Sequence, residues 1–388
     1  ACKDHETTNR CRECEHDPKQ PTCTLVHYKD PQRVILTAIP ERETARRIPA
    51  PELLPYRNPT GGPMQTCVRA LFEGIIDYAG LFPPAELGME EAFSRYVKHR
   101  RSASGWMLAR FVCPAGRLGE LDAALDTDAF DEPPVPVAVL GRGGATLEDF
   151  VAGAEEDTRL IRTFLSSHDG RATADIYEVK LPEAGGAALA VEKAWRHLTA
   201  TDSTDISPFF EVSLLGDWRP RLPAAAAAVR DAQRTAGVGH RLGLKIRCGG
   251  LDAAAIPEPI AVAAAIATCR ATGVPLKATQ GLHHPFRHTD EALGATVHGF
   301  LNLFTASVMA HAHDVPVTRL TEIVADTDPQ SFTIETDRLA WRNLEATAAE
   351  VAEARAGMLT SFGSCSFSEP RDDLEALHVF DSSKEPLQ

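Results

Sequence analysis

The chain has 388 residues, with 40 Lys+Arg against 54 Asp+Glu, a formal net charge of −14, and 44% hydrophobic residues. This length and balance support a folded core that needs neither disulfides nor metals. The acidic excess excludes a general nucleic-acid binder, which needs a cationic face to displace counterions, and no run of about 18 apolar residues predicts a membrane span.

Residues 1–63 read as an irregular arm. They hold 9 of the 27 prolines and only 'RVILTAI' is strand-like. Their charges nearly cancel, ten basic against nine acidic. No apolar period runs through them, so an extended or disordered leader is expected. Cys2, Cys11, Cys14 and Cys23 crowd this segment, and Cys11-x-x-Cys14 forms one knuckle of a candidate zinc site. Zinc ribbons carry two such knuckles, so an irregular leader without metal is the competing expectation. The remaining five cysteines are scattered singly, as small buried hydrophobes are. The expected compartment is the reducing cytoplasm, with no secretory signal at the start.

From Met64 short apolar runs alternate with amphipathic ones. Strands are expected at Phe72–Gly80, Trp106–Pro114, Val135–Gly141, Ala174–Pro182, Pro208–Leu214, Leu242–Gly250 and Val274–Gly281. Helical stretches follow each, including 'MEEAFSRYVKHRR', a helix capped by Thr146, and a long stretch from about Thr289 to His313. An eighth strand falls at Met358–Ser366, with a short helix after it. Strands of five to eight residues alternating with helices describe repeated βα units on a parallel sheet. The fold class is therefore α/β, a (β/α)8 TIM-type barrel over residues 64–388. The surplus length lies between Val315 and Gly357, an insertion before the last strand with a hairpin at 'SFTIETDRLAWRN'. An open doubly wound sheet is the alternative, but no Gly-x-Gly-x-x-Gly follows the first strand.

Barrels of this kind carry their chemistry at the C-terminal strand ends. Asp77, Arg110, Glu178, Lys180, Glu211, Lys245, Arg247 and Lys277 interrupt the apolar strands there, and Ser364 ends the last one. Period two puts Glu178 with Lys180, and Lys245 with Arg247, on one face. Facing inward, they make a charged cup; facing outward, a structural ion-pair network. Lysines beside other cations have depressed pKa values and attack carbonyls, and Lys245 and Lys277 on neighbouring strands meet that condition. The segments 'LKIRCGG' and 'LKATQG' resemble Schiff-base aldolases with barrel folds. That resemblance implies a strand-borne lysine attacking a ketone or aldehyde. Gly249 and Gly250 offer backbone N–H groups to an anion, or else make tight βα turns.

Six of the fourteen histidines fall between His283 and His313. His283 and His284 at the barrel mouth read as general acid–base groups or as ligands of a divalent metal. Three functions follow. In the first, a cytoplasmic lyase or isomerase takes a small anionic carbonyl metabolite. Lys277 or Lys245 forms the imine, Glu178, Glu211, His283 and His284 move protons, and Asp77, Arg110, Lys180, Arg247, Gly249, Gly250 and Ser364 bind substrate. No cofactor is expected. In the second, His283, His284, Glu178 and Glu211 hold a metal in a hydrolase or lyase. In the third, a binding barrel without chemistry pairs its charges internally. A homo-oligomer is compatible with the Ala-rich helices.

Overall fold

A computed structural model describes residues 66–127, 133–167, 170–183, 186–199, 206–236 and 241–380. The cysteine cluster and the arm over residues 1–63 lie outside the described residues.

Helix α1 (Cys67–Phe72) starts at Thr66, whose hydroxyl accepts from Arg69 N, and leads into β1 (Ile76–Tyr78). The first predicted strand is thus shorter, its opening Phe72 being the end of a helix. The alternation continues with α2 (Met89–Arg100), β2 (Leu108–Pro114), α3 (Leu118–Thr127), β3 (Val135–Leu140), α4 (Leu147–Ser167) and β4 (Ala172–Lys180). It runs on through α5 (Ala187–Thr199), β5 (Ser207–Glu211), α6 (Trp218–Thr235), β6 (Gly243–Arg247), α7 (Pro259–Thr272) and β7 (Leu276–Thr279). Thr146 does stand before α4, its hydroxyl accepting from Asp149 N at 3.1 Å. Helix α7 begins at Pro259, where the missing N–H costs nothing, and ends at Gly273 in the left-handed region. The stretch Ala253–Thr272 has a mean hydropathy of 1.3 and passes a length test for a membrane span. Pro257 divides it, however, and α7 itself has 14 residues, short of the roughly 20 a span needs.

The expected long helix from Thr289 to His313 does not form as one element. A hairpin, β8 (His288–Asp290) with β9 (Ala295–Val297), precedes α8 (Phe300–Ala312). Gly294 takes a φ of 60° in its turn, and Asp290 accepts from Ala292 N and Leu293 N. The insertion follows: α9 (Val317–Ala325), then the antiparallel strands β10 (Phe332–Ile334), β11 (Arg338–Trp341) and β12 (Leu344–Thr347). The predicted hairpin is present and gains a third strand. Buried Asp326 ties this sheet down, accepting from Trp341 Nε1 at 2.8 Å and Arg342 at 2.9 Å. Asp326→Ala is expected to cost about 1–3 kcal/mol, because it strands a buried indole donor; urea unfolding measures it. Helix α10 (Ala348–Gly357) opens with a capping box between Thr347 and Glu350. It leads to β13 (Leu359–Ser364) and α11 (Ser368–Ala376).

Eight parallel strands close into a barrel in the order β1-β13-β7-β6-β5-β4-β3-β2. The chain is a (β/α)8 barrel. Alternate strand residues divide between two cores. Tyr177 and Val179 of β4 join the large core between sheet and helices. Ile176 instead belongs to a small cluster with Val112, Ala138 and Phe209 from the neighbouring strands. That cluster plugs the barrel interior, and the same inward face carries Glu178 two residues on.

Candidate active site

The inward faces of β1, β4, β5, β6 and β7 bring most of the predicted charges into one chain of ion pairs. Lys277 Nζ lies 2.5 Å from Asp77 Oδ2 and 2.6 Å from Glu178 Oε1. Lys245 Nζ lies 2.8 Å from Glu178 Oε2 and 3.0 Å from Glu211 Oε2. Glu211 then accepts from Arg247 Nε at 2.8 Å, and Arg247 donates to Gln280 at 3.0 Å. At the other end Asp77 accepts from Ser361 Oγ at 2.5 Å and lies 3.5 Å from Arg110. Arg110 is held by a two-pronged contact with Asp175 at 2.7 and 2.5 Å. Asp77, Glu178, Glu211, Lys245 and Lys277 are at most 3% exposed.

Glu178 is the hub. One carboxylate joins lysines on adjacent strands whose Cα atoms are in register. Its Oε1 meets Lys277 Nζ at 2.6 Å, and its Oε2 meets Lys245 Nζ at 2.8 Å. Burial alone would raise the Glu178 carboxyl, but Lys245 and Lys277 hold it at about 2. Glu211 is lowered in the same way, by Lys245 and Arg247 against its burial. The expected depression of Lys245 by a neighbouring cation is reversed. Burial pulls its ammonium down, yet Glu178 and Glu211 more than offset this, and its pKa is raised. Two carboxylates in contact outweigh a second lysine that shares one of them.

The other predicted site residues lie apart. Lys180 stands half exposed at the end of β4 and pairs with Glu183 at 3.2 Å. Ser364 is buried and braces its own turn, donating to Ser366 O at 2.6 Å. Gly249 and Gly250 serve close packing. A Cβ on Gly249 would stand 2.8 Å from Gly281 Cα, and one on Gly250 would stand 2.3 Å from Ala255 Cβ. Gly249→Ala is expected to destabilise by about 1–3 kcal/mol through overpacking, read as a lowered urea midpoint.

His283 and His284 do not meet Glu178 or Glu211, so the four do not form the expected metal centre. His283 Nδ1 lies 2.8 Å from Glu369 on α11, and His284 Nδ1 lies 2.6 Å from Asp373 on the same helix. Among the described residues, no group of three or more His, Cys, Asp or Glu side chains is spaced to hold a metal ion. His298 is buried at the start of α8, held between Pro257 O at 2.8 Å and Arg287 at 3.1 Å, and burial pushes it down to about 4. It is neutral, with its proton on Nε2.

Sequence reading missed Asp175, Gln280, Glu369 and Asp373. Asp175 sits where the register of β3 and β4 shifts, between Ala174 and Ile176, and no alternation marks such a bulge. Gln280 takes a φ of 63° directly after β7, which turns it toward Arg247. The loop after β1 reaches inward. Phe82 packs against the small interior cluster.

The fold and this ionic core define a parallel barrel with paired lysines inside it. No family model matches the chain, and no curated protein does. Among solved structures it is similar to a deoxyribose phosphate aldolase from Aeropyrum pernix, at 13% identity and a TM-score of 0.43, over 81% of this chain and 100% of that one. It is also similar to a lysine/ornithine decarboxylase from Vibrio vulnificus complexed with cadaverine, at 13% identity and a TM-score of 0.34. That match covers 77% of this chain and 58% of the other. Neither likeness bears on the roles of individual residues.

Proposed function

We propose that the chain is a cytoplasmic lyase of the imine-forming type, acting on a small anionic carbonyl compound. One observation carries the proposal: Glu178 bridges Lys245 and Lys277 inside the barrel, with all three side chains withdrawn from solvent. Burying ion pairs costs several kcal/mol per ion before their attraction is counted, and apolar replacements of equal volume are often as stable. Such groups, deep in a barrel, are suited to chemistry.

Lys277 is the nucleophile in this reading. Its proton passes to Asp77, in contact with it. The free amine adds to the substrate carbonyl, and loss of water gives the imine. Lys245 stays an ammonium and stabilises negative charge that develops on the bound substrate. Arg247, half exposed and above Lys245 on β6, meets the substrate's anionic group.

A second reading, a binding barrel without chemistry, is favoured by the completeness of the pairing. Each of the two lysines and three carboxylates has an opposite charge within 3.0 Å. Borohydride separates the readings. The chain is incubated with short 2-oxo acids and aldehydes, then reduced. An imine former gains a stable adduct of one carbonyl compound per chain. A binding barrel gains none.

A further inference from the structure

The segments 'YAGLFPPA', after β1, and 'SFGSCSF', at the end of β13, meet at a second place, outside the lysine core. A cavity of about 290 Å³ lies beside the ends of β1 and β13. Its lining includes Tyr78, Pro84, Arg95, His99, Cys365 and Glu369. This volume is at the small end of ligand cavities.

Cys365 stands between that cavity and His283. Its Sγ lies 3.8 Å from His283 Nε2, and His283 Nδ1 lies 2.8 Å from the Glu369 carboxylate. The three residues come from the loop after β7, the turn after β13 and the first turn of α11. A thiol in contact with an imidazole whose far nitrogen is held by a carboxylate is the arrangement of an activated nucleophile. The remaining described cysteines differ. Cys67, Cys113, Cys248 and Cys269 are buried. Burial pushes Cys67, Cys113 and Cys269 up to about 12 and Cys248 in the same direction. They are inert packing thiols.

We propose that Cys365, His283 and Glu369 form a nucleophilic site that accepts a short acyl group from an ester bound in the adjoining cavity. The Cys365 sulfur attacks the acyl carbon. The S–C bond forms, the ester C–O bond breaks, and the thiol proton, held by His283 Nε2, goes to the departing alkoxide. Water then attacks the thioester. Its oxygen bonds to the acyl carbon, the C–S bond breaks, and one water proton returns through His283 to sulfur. No oxidant or cofactor enters. The contact with Cys365 is the largest cause holding His283 up at about 9, against its burial and with help from Glu369. Acylation removes that cause, which frees His283 to act as base in the second step. Glu369 is a positioning residue that fixes the ring through Nδ1. His99, pushed down to about 4 by burial and by Arg371, Lys98 and Arg95, is neutral on the cavity wall.

The test uses p-nitrophenyl acetate with the full chain, followed by intact and peptide mass measurement. One acetyl group on Cys365, released by neutral hydroxylamine as a thioester is, supports the site. Acetylation of lysines or of several cysteines alike, or none on the folded chain, overturns it. This mapping needs no variant. Cys365→Ser then removes the labelling, and His283→Ala slows it by about 100-fold or more. Glu369→Ala also slows it, whereas Glu369→Gln, which keeps an acceptor oxygen for Nδ1, restores most of the rate. Equal rates in the two Glu369 variants would reduce that residue to a structural one.

Discussion

Replacing Glu178 by alanine is expected to lower the unfolding free energy by about 3 kcal/mol, the low end for breaking a buried ion pair. The low end applies because neither lysine is left bare. Lys245 keeps Glu211 at 3.0 Å and Lys277 keeps Asp77 at 2.5 Å. The carboxyl's folded value of about 2 lies below the ordinary glutamate range, so the sign is fixed. Its contribution is present above the unfolded pKa of about 4.3. It is lost as pH falls from there toward 2. Urea midpoints taken across that interval should drop in the parent chain, and drop less in Glu178→Gln, which has no charge to lose. A Glu178→Ala chain as stable as the parent would mean that the bridge is not formed in solution.

The second large effect separates chemistry from stability. On the imine-forming reading proposed above, Lys277→Ala is expected to lower turnover by a factor on the order of 10⁴ or more, as loss of a covalent nucleophile does. The fold should tolerate it. Asp77 still receives Ser361 at 2.5 Å and faces Arg110 at 3.5 Å, and Glu178 still holds Lys245 at 2.8 Å. Lys245→Ala leaves Glu211 with Arg247 at 2.8 Å. It should weaken turnover without abolishing it, because the imine-forming amine remains. Steady-state rates on the carbonyl compound found by borohydride screening, beside thermal unfolding of each variant, read the two effects apart. Equal losses in both lysine variants would contradict the division of roles.

The barrel was legible in the alternation of short apolar runs and amphipathic helices; period two put Glu178, Lys245 and Arg247 in the ionic chain, whereas Lys180, at the strand end, turns out to pair with Glu183. The hairpin β8–β9 was not, because 'EALG' between its strands has the composition of a helical turn, and only Gly294 signals the reversal. The state of Lys245 was misread for a topological reason. Strand adjacency puts Lys277 beside it, whereas Glu178 reaches both lysines from β4, two strands from β6 and three from β7. A contact across a closed barrel has no signature in sequence spacing. Cys365 and His283 are 82 positions apart and meet because β13 lies against β7. The histidines drew notice as a pair of neighbours, yet each has its own carboxylate on α11.

The imine is the centre of this account, and its location is the most direct test. The chain is trapped with its carbonyl compound under borohydride, digested, and the modified peptide sequenced by mass. The expected result is a single reduced adduct on Lys277, absent from Lys277→Ala and retained in Lys245→Ala. An adduct on surface lysines only, or no adduct with any short 2-oxo acid or aldehyde, would contradict it and leave the ion-paired core as a structural feature of a binding barrel.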